Sequence, residues 1–349
     1  MSVSVNLSNL CVNVFIVIFL LHWQFETCAA QNSGSNATGG NVDVTAADRV
    51  LQNKYRSLVM VISDLGKGDD HLFSGTLITP EWVLTAAHCL FSGGKRVSKF
   101  KVYAGVISYQ EIQENKTTNS SQIRMVEMAN TFVHPSYACC NALYNDFGLI
   151  KVSPKFELTK AVGITNLAGK PLAKEIETAS LVGYGAQQGK TFGNFYTYKI
   201  AVKTMPVHRA CPCGSKRKKG GSKQRPKKIH GFLCQFVVKD IRNLGYGDFG
   251  AALRVKNRVY GVFSSVMHKS YHRSCKKASL TRTSTIINTT VENYTTNVFS
   301  DTCGYVMWIN NHTKSLKLED IDSECGSKAG LLEPSYTAAV LLVLSALNT

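Results

Sequence analysis

The segment GYGDFGAAL, Gly245 to Leu253, has Phe249, a residue without a reactive group, at the centre of a pattern typical of a tight turn. Its Gly-Asp-x-Gly pattern predicts a turn that pushes the side chain of Phe249 out from the backbone. Elsewhere the chain carries His88 after two alanines and Asp146 within NDFGLIKV. An imidazole oriented by a carboxylate can take a proton from an attacking group. The phenyl ring of Phe249 has no lone pair with which to attack.

Several motifs extend this pattern in a fixed order along most of the chain. The segment FSGTLITPEWVLTAAHCL predicts two strands followed by His88, and after it come VHPSY, NDFGLIKV, VGYG, GDFGAAL, YGVFSS and CGYVMWIN. In these motifs, from about Val50 to Thr313, the chain resembles the trypsin-like serine proteases. The resemblance implies that His88 is the family's proton acceptor and that Asp146 orients it. It also places Phe249 where the family has its nucleophilic serine.

The resemblance therefore implies a protease homologue of the insect type that has no catalytic residue, in which His88 and Asp146 are a remnant relay. Such homologues act as cofactors, decoys or scaffolds for active proteases, and the cysteine-free leader favours a reproductive or seminal-fluid role beside an immune one. One alternative is a residual hydrolase that uses Ser264 or Ser265. For His88 and Asp146, a buried hydrogen-bonded pair between two barrels is the plainer interpretation.

The resemblance also locates the remnant of a substrate pocket. Asn243 matches the base of the specificity pocket, and Ser264 and Val266 lie on its wall, where valine replaces the family's usual glycine. Gly247 matches the first amide of the oxyanion hole, and the amide of Phe249 matches the second. Without a nucleophile no oxyanion forms, so these two amides have no charge to stabilise.

Activation by cleavage is a further family property that this sequence does not support. In the family, a freed amino terminus pairs with the aspartate before the serine, which here is Asp248. The bond Arg49–Val50 is the best candidate for a cut, but Gln52 and Asn53 replace the family's glycine pair. We expect Asp248 to pair instead with a cation, a backbone amide or solvent, and we expect no zymogen switch.

The elements that position these residues are short runs of β-branched, aromatic and aliphatic residues, as in SLVMVIS, KFKVYAGVI and RVYGVFSSV. They predict an all-β protein. With the resemblance, the expected fold is two antiparallel six-stranded β-barrels of the chymotrypsin type, over about 50–165 and 166–315, with a short helix at GYVMWINNH. The whole protease-like domain is expected over 50–315, after a flexible leader over 31–49 and before a tail over 316–349.

The amino-terminal residues 1–30 predict a secretory signal, because an apolar run is followed by small residues. Six glycosylation sequons accompany it, at Asn36, Asn115, Asn119, Asn288, Asn293 and Asn311. Nine cysteines follow the signal, so at least one has no intramolecular partner. The family pairs Cys89 with a cysteine at the position of Phe73, which makes Cys89 the candidate free thiol, and we expect Cys234 to pair with Cys211 or Cys213.

A basic segment interrupts the second half of the chain and supplies a candidate binding surface. It has eight cations among the thirteen residues from Lys216 to Lys228, in a protein with a net charge of +17. The cations are Lys216, Arg217, Lys218, Lys219, Lys223, Arg225, Lys227 and Lys228. Such a cluster attracts polyanions such as glycosaminoglycans, and otherwise it is only a solvated insertion.

The partners expected from the sequence are extracellular proteins, among them active proteases or their substrates. No cofactor and no metal is expected. The apolar tail AAVLLVLSALNT is consistent either with a GPI-attachment signal, which would hold the protein at the cell surface, or with a tail that docks or frays.

Overall fold

The computed structural model describes eleven stretches of the chain: 44–66, 71–115, 117, 121–139, 144–174, 176–185, 199–213, 227–237, 244–245, 247–267 and 295–328. Within them the protein is mostly β, and its strands form two large sheets. The strands of the first sheet lie between Leu58 and Lys151, and those of the second between Asn166 and Asp301.

The first half of the described chain supplies nine strands. They are β1 Leu58–Asp64, β2 His71–Thr79, β3 Trp82–Thr85, β4 Phe91–Ser92, β5 Lys95–Arg96, β6 Lys99–Ala104, β7 Gln122–Glu127, β8 Thr131–Val133 and β9 Gly148–Lys151. Strands β4 and β5 form a separate hairpin. The other seven form one sheet in the order β7-β6-β1-β2-β3-β9-β8, with antiparallel neighbours. Every residue of β1 except the last is buried, which explains its unbroken apolar run.

The sheet closes into a barrel because β7 and β8 are two halves of one extended segment. A single turn of 3-10 helix, Met128–Asn130, separates them. Strand β7 pairs with β6, and β8 pairs with β9 at the other end of the sheet order. Counted as one bent strand, this segment completes a ring of six strands, as the sequence predicted.

The second sheet closes in a different way. Its strands are β10 Asn166–Leu167, β11 Ile176–Gly183, β12 Ala201–Cys213, β13 Lys227–Val237, β14 Ala252–Val255, β15 Arg258–Met267 and β16 Thr295–Asp301. They have the order β10-β15-β14-β11-β12-β13-β16, and the sheet closes because β15 also pairs with β16. Strand β10 is a two-residue addition that runs parallel to β15, so the closed ring again has six strands.

One apolar core joins the two barrels. It contains Val59 and Leu84 from the first barrel and Val262 from the second, all fully buried. Burial of apolar surface between the two barrels stabilises their arrangement by roughly 25 cal/mol per Å² removed from water. The seam between the barrels is therefore a packed interface that can hold side chains from both sides in register.

Four α-helices lie outside the sheets in the described residues: α1 Ala46–Lys54, α2 Tyr109–Gln113, α3 Val306–Thr313 and α4 Ser323–Lys328. Helix α3 is the one predicted near the carboxyl end, and Val306 and Ile309 on it are buried. It is followed by an ordered segment in which the N–H of Asp322 donates to the carbonyl of Gly169 at 2.7 Å.

Helix α1 corrects the prediction of a flexible leader that ends at residue 49. Its amino terminus is fixed by a capping box, in which Thr45 accepts from the N–H of Asp48 and the Asp48 carboxylate accepts from the N–H of Thr45. The polar composition of the leader concealed this motif. Residues 46–49 are helical and belong to the folded part of the protein.

Candidate functional site

The turn that carries Phe249 is built on two glycines with positive φ. Gly247 has a φ of +84° and Gly250 a φ of +78°, a backbone region that L side chains rarely adopt. A Cβ atom on Gly250 would lie 2.1 Å from the hydroxyl oxygen of Thr85 and 2.3 Å from the carbonyl oxygen of Ser74. The turn therefore sits directly against the first barrel, and only glycine fits there.

Ser74 of β2 fastens this turn from the opposite barrel. Its hydroxyl donates to the carbonyl of Gly247 at 2.6 Å, and its N–H donates to the carbonyl of Phe249 at 2.9 Å. The same hydroxyl accepts from the N–H of Tyr184 at 3.0 Å. The position of Phe249 is thus set by three backbone segments and not by its own packing alone.

His88 and Asp146 form the hydrogen-bonded pair that the sequence predicted. His88 lies in the 3-10 turn Ala87–Leu90 after β3, and Asp146 lies just before β9, the strand that pairs with β3. The Nδ1 atom of His88 is 2.8 Å from Oδ2 of Asp146, and the N–H of His88 donates to Oδ1 at 2.8 Å. Asp146 is buried, so two bonds from one residue fix the plane and orientation of the imidazole.

The hydroxyl of Ser264 completes the environment of Asp146. It donates to Oδ2 of Asp146 at 2.5 Å, and Ser264 is buried. This arrangement does not support the suggestion that Ser264 acts as a substitute nucleophile, because its proton is directed at the carboxylate and not at His88. Val266, on the same wall, is half-buried.

The phenyl ring of Phe249 lies against the imidazole. The two ring centroids are 5.0 Å apart with an angle of 88° between the planes, an edge-to-face contact. Phe249 also packs against the cores of both barrels. The ring therefore occupies the space beside His88 and acts as part of the seam.

The thiol of Cys89 lies close to the other nitrogen of the imidazole, a contact that sequence reasoning missed. Its Sγ atom is 3.6 Å from Nε2 of His88. Cys89 is buried and forms no disulfide, which confirms it as a free thiol. The signal that pointed this way is Phe73, which stands at the position of the family's partner cysteine and packs against the ring of Phe100.

The surroundings of His88 change its acidity. Burial lowers the pKa of His88, but the charges and hydrogen bonds of Asp146 and Cys89 raise it, and the net result is a pKa well above the usual 6.5. The raised pKa favours the protonated imidazole, which is the form that cannot accept a proton.

Asp248 forms an ion pair with Lys203, and a cation was one of the partners expected from the sequence. Its Oδ2 atom is 2.5 Å from Nζ of Lys203, and its Oδ1 atom accepts from the N–H of Gly185 at 3.0 Å. Lys203 was not predicted as the partner, because a lysine in a strand of alternating polarity normally faces solvent.

Two disulfides lie in the second barrel and in the segment that follows it. Cys211 pairs with Cys234, which confirms one of the two predicted pairings. Cys303 pairs with Cys325 and holds the segment after α3. The sequence could not connect these last two residues.

The remaining predicted residues divide between exposed positions and positions outside the described residues. Asn115 and Asn311 are both exposed and so are open to glycosylation. Outside the described residues lie the signal, Asn36, Asn119, Asn288, Asn293, Asn243, the tail beyond residue 328 and most of the basic segment. Of that segment, only the backbone of Lys227 and Lys228 is described, at the start of β13.

The described residues contain neither a cluster suited to a metal ion nor a helix suited to a bilayer. No group of three or more His, Cys, Asp or Glu side chains that could hold a metal ion is found in those eleven stretches. In the same stretches, no helix has the length and apolar character that crossing a bilayer requires.

Comparisons with known proteins fit this geometry. The family model described as Trypsin matches residues 51–289. Proproteinase E of Bos taurus is 33% identical over 108 residues, which are 30% of this chain and 39% of that protein. Chymotrypsin-like elastase family member 3B of Homo sapiens is 28% identical over 225 residues, 62% of this chain and 76% of that protein. A venom serine protease of Polistes dominula is 28% identical over 113 residues, 32% of this chain and 38% of that protein.

The alignments with the Bos and Polistes proteins thus span less than half of those relatives, whereas the human protein is covered over about three quarters of its length. The family match takes in the first barrel, the second barrel as far as β15, the relay of His88 and Asp146 and the Phe249 turn. It extends over more than half of the chain, and the two closed six-stranded rings have the family's architecture. This chain belongs to the trypsin family.

Proposed function

We propose that the protein is a secreted, catalytically inactive trypsin-family member that binds other extracellular proteins through its former substrate cleft. The contact of Phe249 with His88, 5.0 Å between ring centroids, is the observation that carries this proposal. In an active member, a hydroxyl at this place passes its proton to the imidazole. A hydrocarbon ring has no proton to pass and no oxygen to attack with.

Two further observations support the loss of catalysis. Ser264 directs its hydroxyl to Asp146, at 2.5 Å, and so supplies no attacking oxygen next to His88. The raised pKa of His88 favours the protonated imidazole, whereas a general base has to be neutral before it acts. In subtilisin, which uses the same kind of relay, loss of the nucleophile alone lowers turnover about a million-fold.

Binding without catalysis needs a cleft that keeps its shape, and the bonds of Ser74 to the Phe249 turn support this. They cross from the first barrel to the second, at 2.6 Å and 2.9 Å, so the cleft is anchored on both sides. A rigid surface loses little entropy on association. We therefore infer a cofactor, decoy or scaffold role toward active proteases or their substrates, of the kind that insect-type homologues fill in reproduction or immunity.

Secretion is supported by the two disulfides, since such bonds persist in oxidising compartments. The exposed sequon residues Asn115 and Asn311 point the same way. If the apolar tail is a GPI signal, the protein is secreted to the cell surface and held there, and a phosphatidylinositol-specific phospholipase then releases it from cells.

A residual hydrolase is the second candidate, and the thiol of Cys89 now favours it more than any serine does. Its Sγ lies 3.6 Å from Nε2 of His88. A base held by a carboxylate can remove the proton of a neighbouring thiol and so produce a nucleophilic thiolate. Against it, Cys89 is only 5% exposed, so a substrate carbonyl has little access to the sulfur. We rank this candidate below the binding role for that reason.

Polyanion binding is a third candidate, and it depends on the charge of the segment from Lys216 to Lys228. Eight clustered cations give a strong attraction that weakens with salt. Neutralising them should lower the salt concentration at which the protein elutes from heparin. Unchanged elution would remove this candidate.

Two probes test the loss of catalysis on purified secreted protein. A fluorophosphonate labels activated serines, and an alkyne-tagged iodoacetamide labels activated cysteines, with active trypsin as the positive control for the first probe. We expect no fluorophosphonate label on the native protein. We also expect the iodoacetamide probe to label Cys89 no faster in the native protein than in the denatured protein. Label that disappears in H88A would overturn the proposal.

Partner binding needs its own experiment. The secreted protein, crosslinked in its native fluid and purified, should bring down discrete extracellular proteins, and excess active-site-blocked trypsin-family protease should compete for those that bind as substrates do. A cleft-face variant such as V266E is the matched comparison, because Val266 lies on the pocket wall and is half-buried. Equal recovery with V266E would show that the cleft is not the binding surface.

A further inference from the structure

We propose that Lys203 replaces the freed amino terminus as the permanent partner of Asp248, so that the cleft is held in its binding form without proteolytic cleavage. The inference deepens the proposed function and rests on it where it speaks of binding. The ion pair itself joins the turn from Gly245 to Gly250 to Lys203 of β12.

The carboxylate of Asp248 is deeply buried and fully engaged. Its side chain is 1% exposed, and Oδ2 lies 2.5 Å from Nζ of Lys203. Oδ1 accepts from the N–H of Gly185 at 3.0 Å, and Oδ2 also accepts from the N–H of Gly245 at 3.3 Å. A buried charge without a partner is very costly, so removal of the lysine would expel the carboxylate from this site.

Two glycines, Gly183 at the end of β11 and Gly185 just after it, leave the space that this carboxylate fills. A Cβ atom on Gly185 would lie 2.0 Å from Oδ2 of Asp248, and one on Gly183 would lie 2.7 Å from Oδ1. The VGYG motif thus forms the floor of the site. Because Asp248 stands next to Phe249 in the turn, a carboxylate seated on this floor also fixes the phenyl ring.

Lys203 reaches the site from the middle of the second barrel. It lies in β12, opposite Leu181 of β11 in an antiparallel pair that continues for eight residues. Its side chain is 10% exposed. The cation is therefore supplied by a strand that is already part of the sheet, and its place does not depend on any chain terminus.

The candidate cleavage bond Arg49–Val50 is held in a conformation that proteases do not accept. It lies inside helix α1, where the guanidinium of Arg49 is 2.7 Å from Oε1 of Glu111. Glu111 is itself fixed, because its Oε2 accepts from the N–H of Ile107 at 2.8 Å. Asp48, the residue before Arg49, pairs with Lys199 at 3.0 Å.

Proteases bind their substrates as extended strands, so α1 would have to unwind and break both ion pairs before a cut. A new amine at Val50 would then have to displace Lys203 from Asp248. We infer that neither step is needed, and that the uncleaved chain already presents the cleft.

The first test compares the variants K203M and K101M in the uncleaved secreted protein. Lys101 is the matched control, because it pairs with Asp64 at 3.5 Å on the first barrel, where the two side chains are 33% and 27% exposed. Hydrogen exchange in the peptide Gly245–Leu253 should become about tenfold faster or more in K203M and stay unchanged in K101M. We call the ion pair of Lys203 and Asp248 the latch. Equal exchange in wild type and K203M would overturn it.

A double variant keeps the test decisive if K203M folds poorly. In K203M/D248N the buried charge is gone, and the amide oxygen of residue 248 can still accept from Gly185. The double variant should recover most of the thermal stability and exchange protection that K203M loses, since an unpaired charge costs more than a neutral pair. A double variant no better than K203M would contradict the ion-pair role.

Cleavage itself is tested with R49Q and with the intact mass of the secreted chain. We expect R49Q and wild type to show the same protection of the turn and the same partner recovery, and we expect no amino terminus at Val50. Protection that appears only after cleavage at Arg49 would replace the latch by a zymogen switch. A protected turn in a chain that recovers no partner would leave the latch standing and reject the proposed binding function.

Discussion

The rings of Phe249 and Phe263 lie parallel, with their centroids 5.1 Å apart and an angle of 6° between their planes. Phe263 in turn contacts the ring of Phe299, 5.4 Å away, within the core of the second barrel. Phe249 thus continues an aromatic column from that core to the surface of His88. This gives the residue a structural role that a small nucleophile in its place would not have.

We therefore expect F249A to lower the free energy of unfolding by about 2 kcal/mol, and F249L by less than about 1.5 kcal/mol, because leucine keeps much of the apolar contact. Chemical denaturation monitored by fluorescence measures both. L158A is the control, since Leu158 is 52% exposed and should lose almost nothing. An F249A variant as stable as wild type would show that the ring is not part of the seam.

The pair of His88 and Asp146 predicts a specific pH dependence. The folded pKa of His88 is raised above its unfolded value of about 6.5. The stabilisation from its charge is therefore complete below about pH 6.5 and is lost as pH rises through the folded pKa. A nuclear magnetic resonance titration of the ring protons should give a midpoint above that of a model histidine.

The stability difference between wild type and H88Q, measured as Tm, should likewise shrink as pH rises past that midpoint. D146N should return the pKa of His88 toward or below its ordinary value, because burial then acts without the opposing charge. A wild-type midpoint at or below about 6.5 would contradict this account of the relay.

His134 predicts the opposite dependence. Burial lowers its pKa to about 4, and its Nδ1 accepts from the N–H of Ser136 at 3.2 Å, a bond that a protonated ring cannot make. Stabilisation from the neutral ring is present above about pH 6.5 and is lost as pH falls toward the folded pKa of about 4.

H134F should make the protein less sensitive to acid over that range. Its ring can retain the contacts with Tyr305 and Trp308, whose ring centroids are 5.2 Å and 5.3 Å from that of His134. Thermal melts at steps of pH between about 4 and 7 compare the two proteins. The same acid slope in wild type and H134F would place the acid sensitivity elsewhere.

The free thiol of Cys89 should react slowly in the native protein. Its 5% exposure hides the sulfur, whereas after denaturation it is open to reagent. Pulsed alkylation with iodoacetamide, followed by mass spectrometry, should therefore show native labelling at least about tenfold slower than labelling in denaturant. Native labelling as fast as in denaturant, and slowed in H88A, would instead favour the thiol hydrolase.

The barrels, the relay and the Phe249 turn were predictable because each leaves a local trace. Strand pairs such as β1 and β2 read as apolar runs between turn residues, and the glycines of the turn, Gly247 and Gly250, mark backbone that other residues cannot adopt. The relay residues His88 and Asp146 were identified by their motifs and by the order of those motifs.

Long-range partners left no such trace. The contact of Lys203 with Asp248 joins residues 45 positions apart, and that of Ser264 with Asp146 joins residues 118 apart. Which charged or polar side chain reaches a buried carboxylate depends on strand register and barrel closure, and neither can be read from one segment. The capping box of α1 did have a local signal, at Thr45 and Asp48, but the polar residues around it masked the helix.

The disulfide between Cys303 and Cys325 changes how force would pass through the molecule. Cys303 lies just before α3, and Cys325 lies in the last described helix. Tension applied to the chain beyond Lys328, for example by an anchored carboxyl end, would enter the second barrel through the sulfur bridge and bypass α3. The helix itself would then carry no load while the tether is pulled.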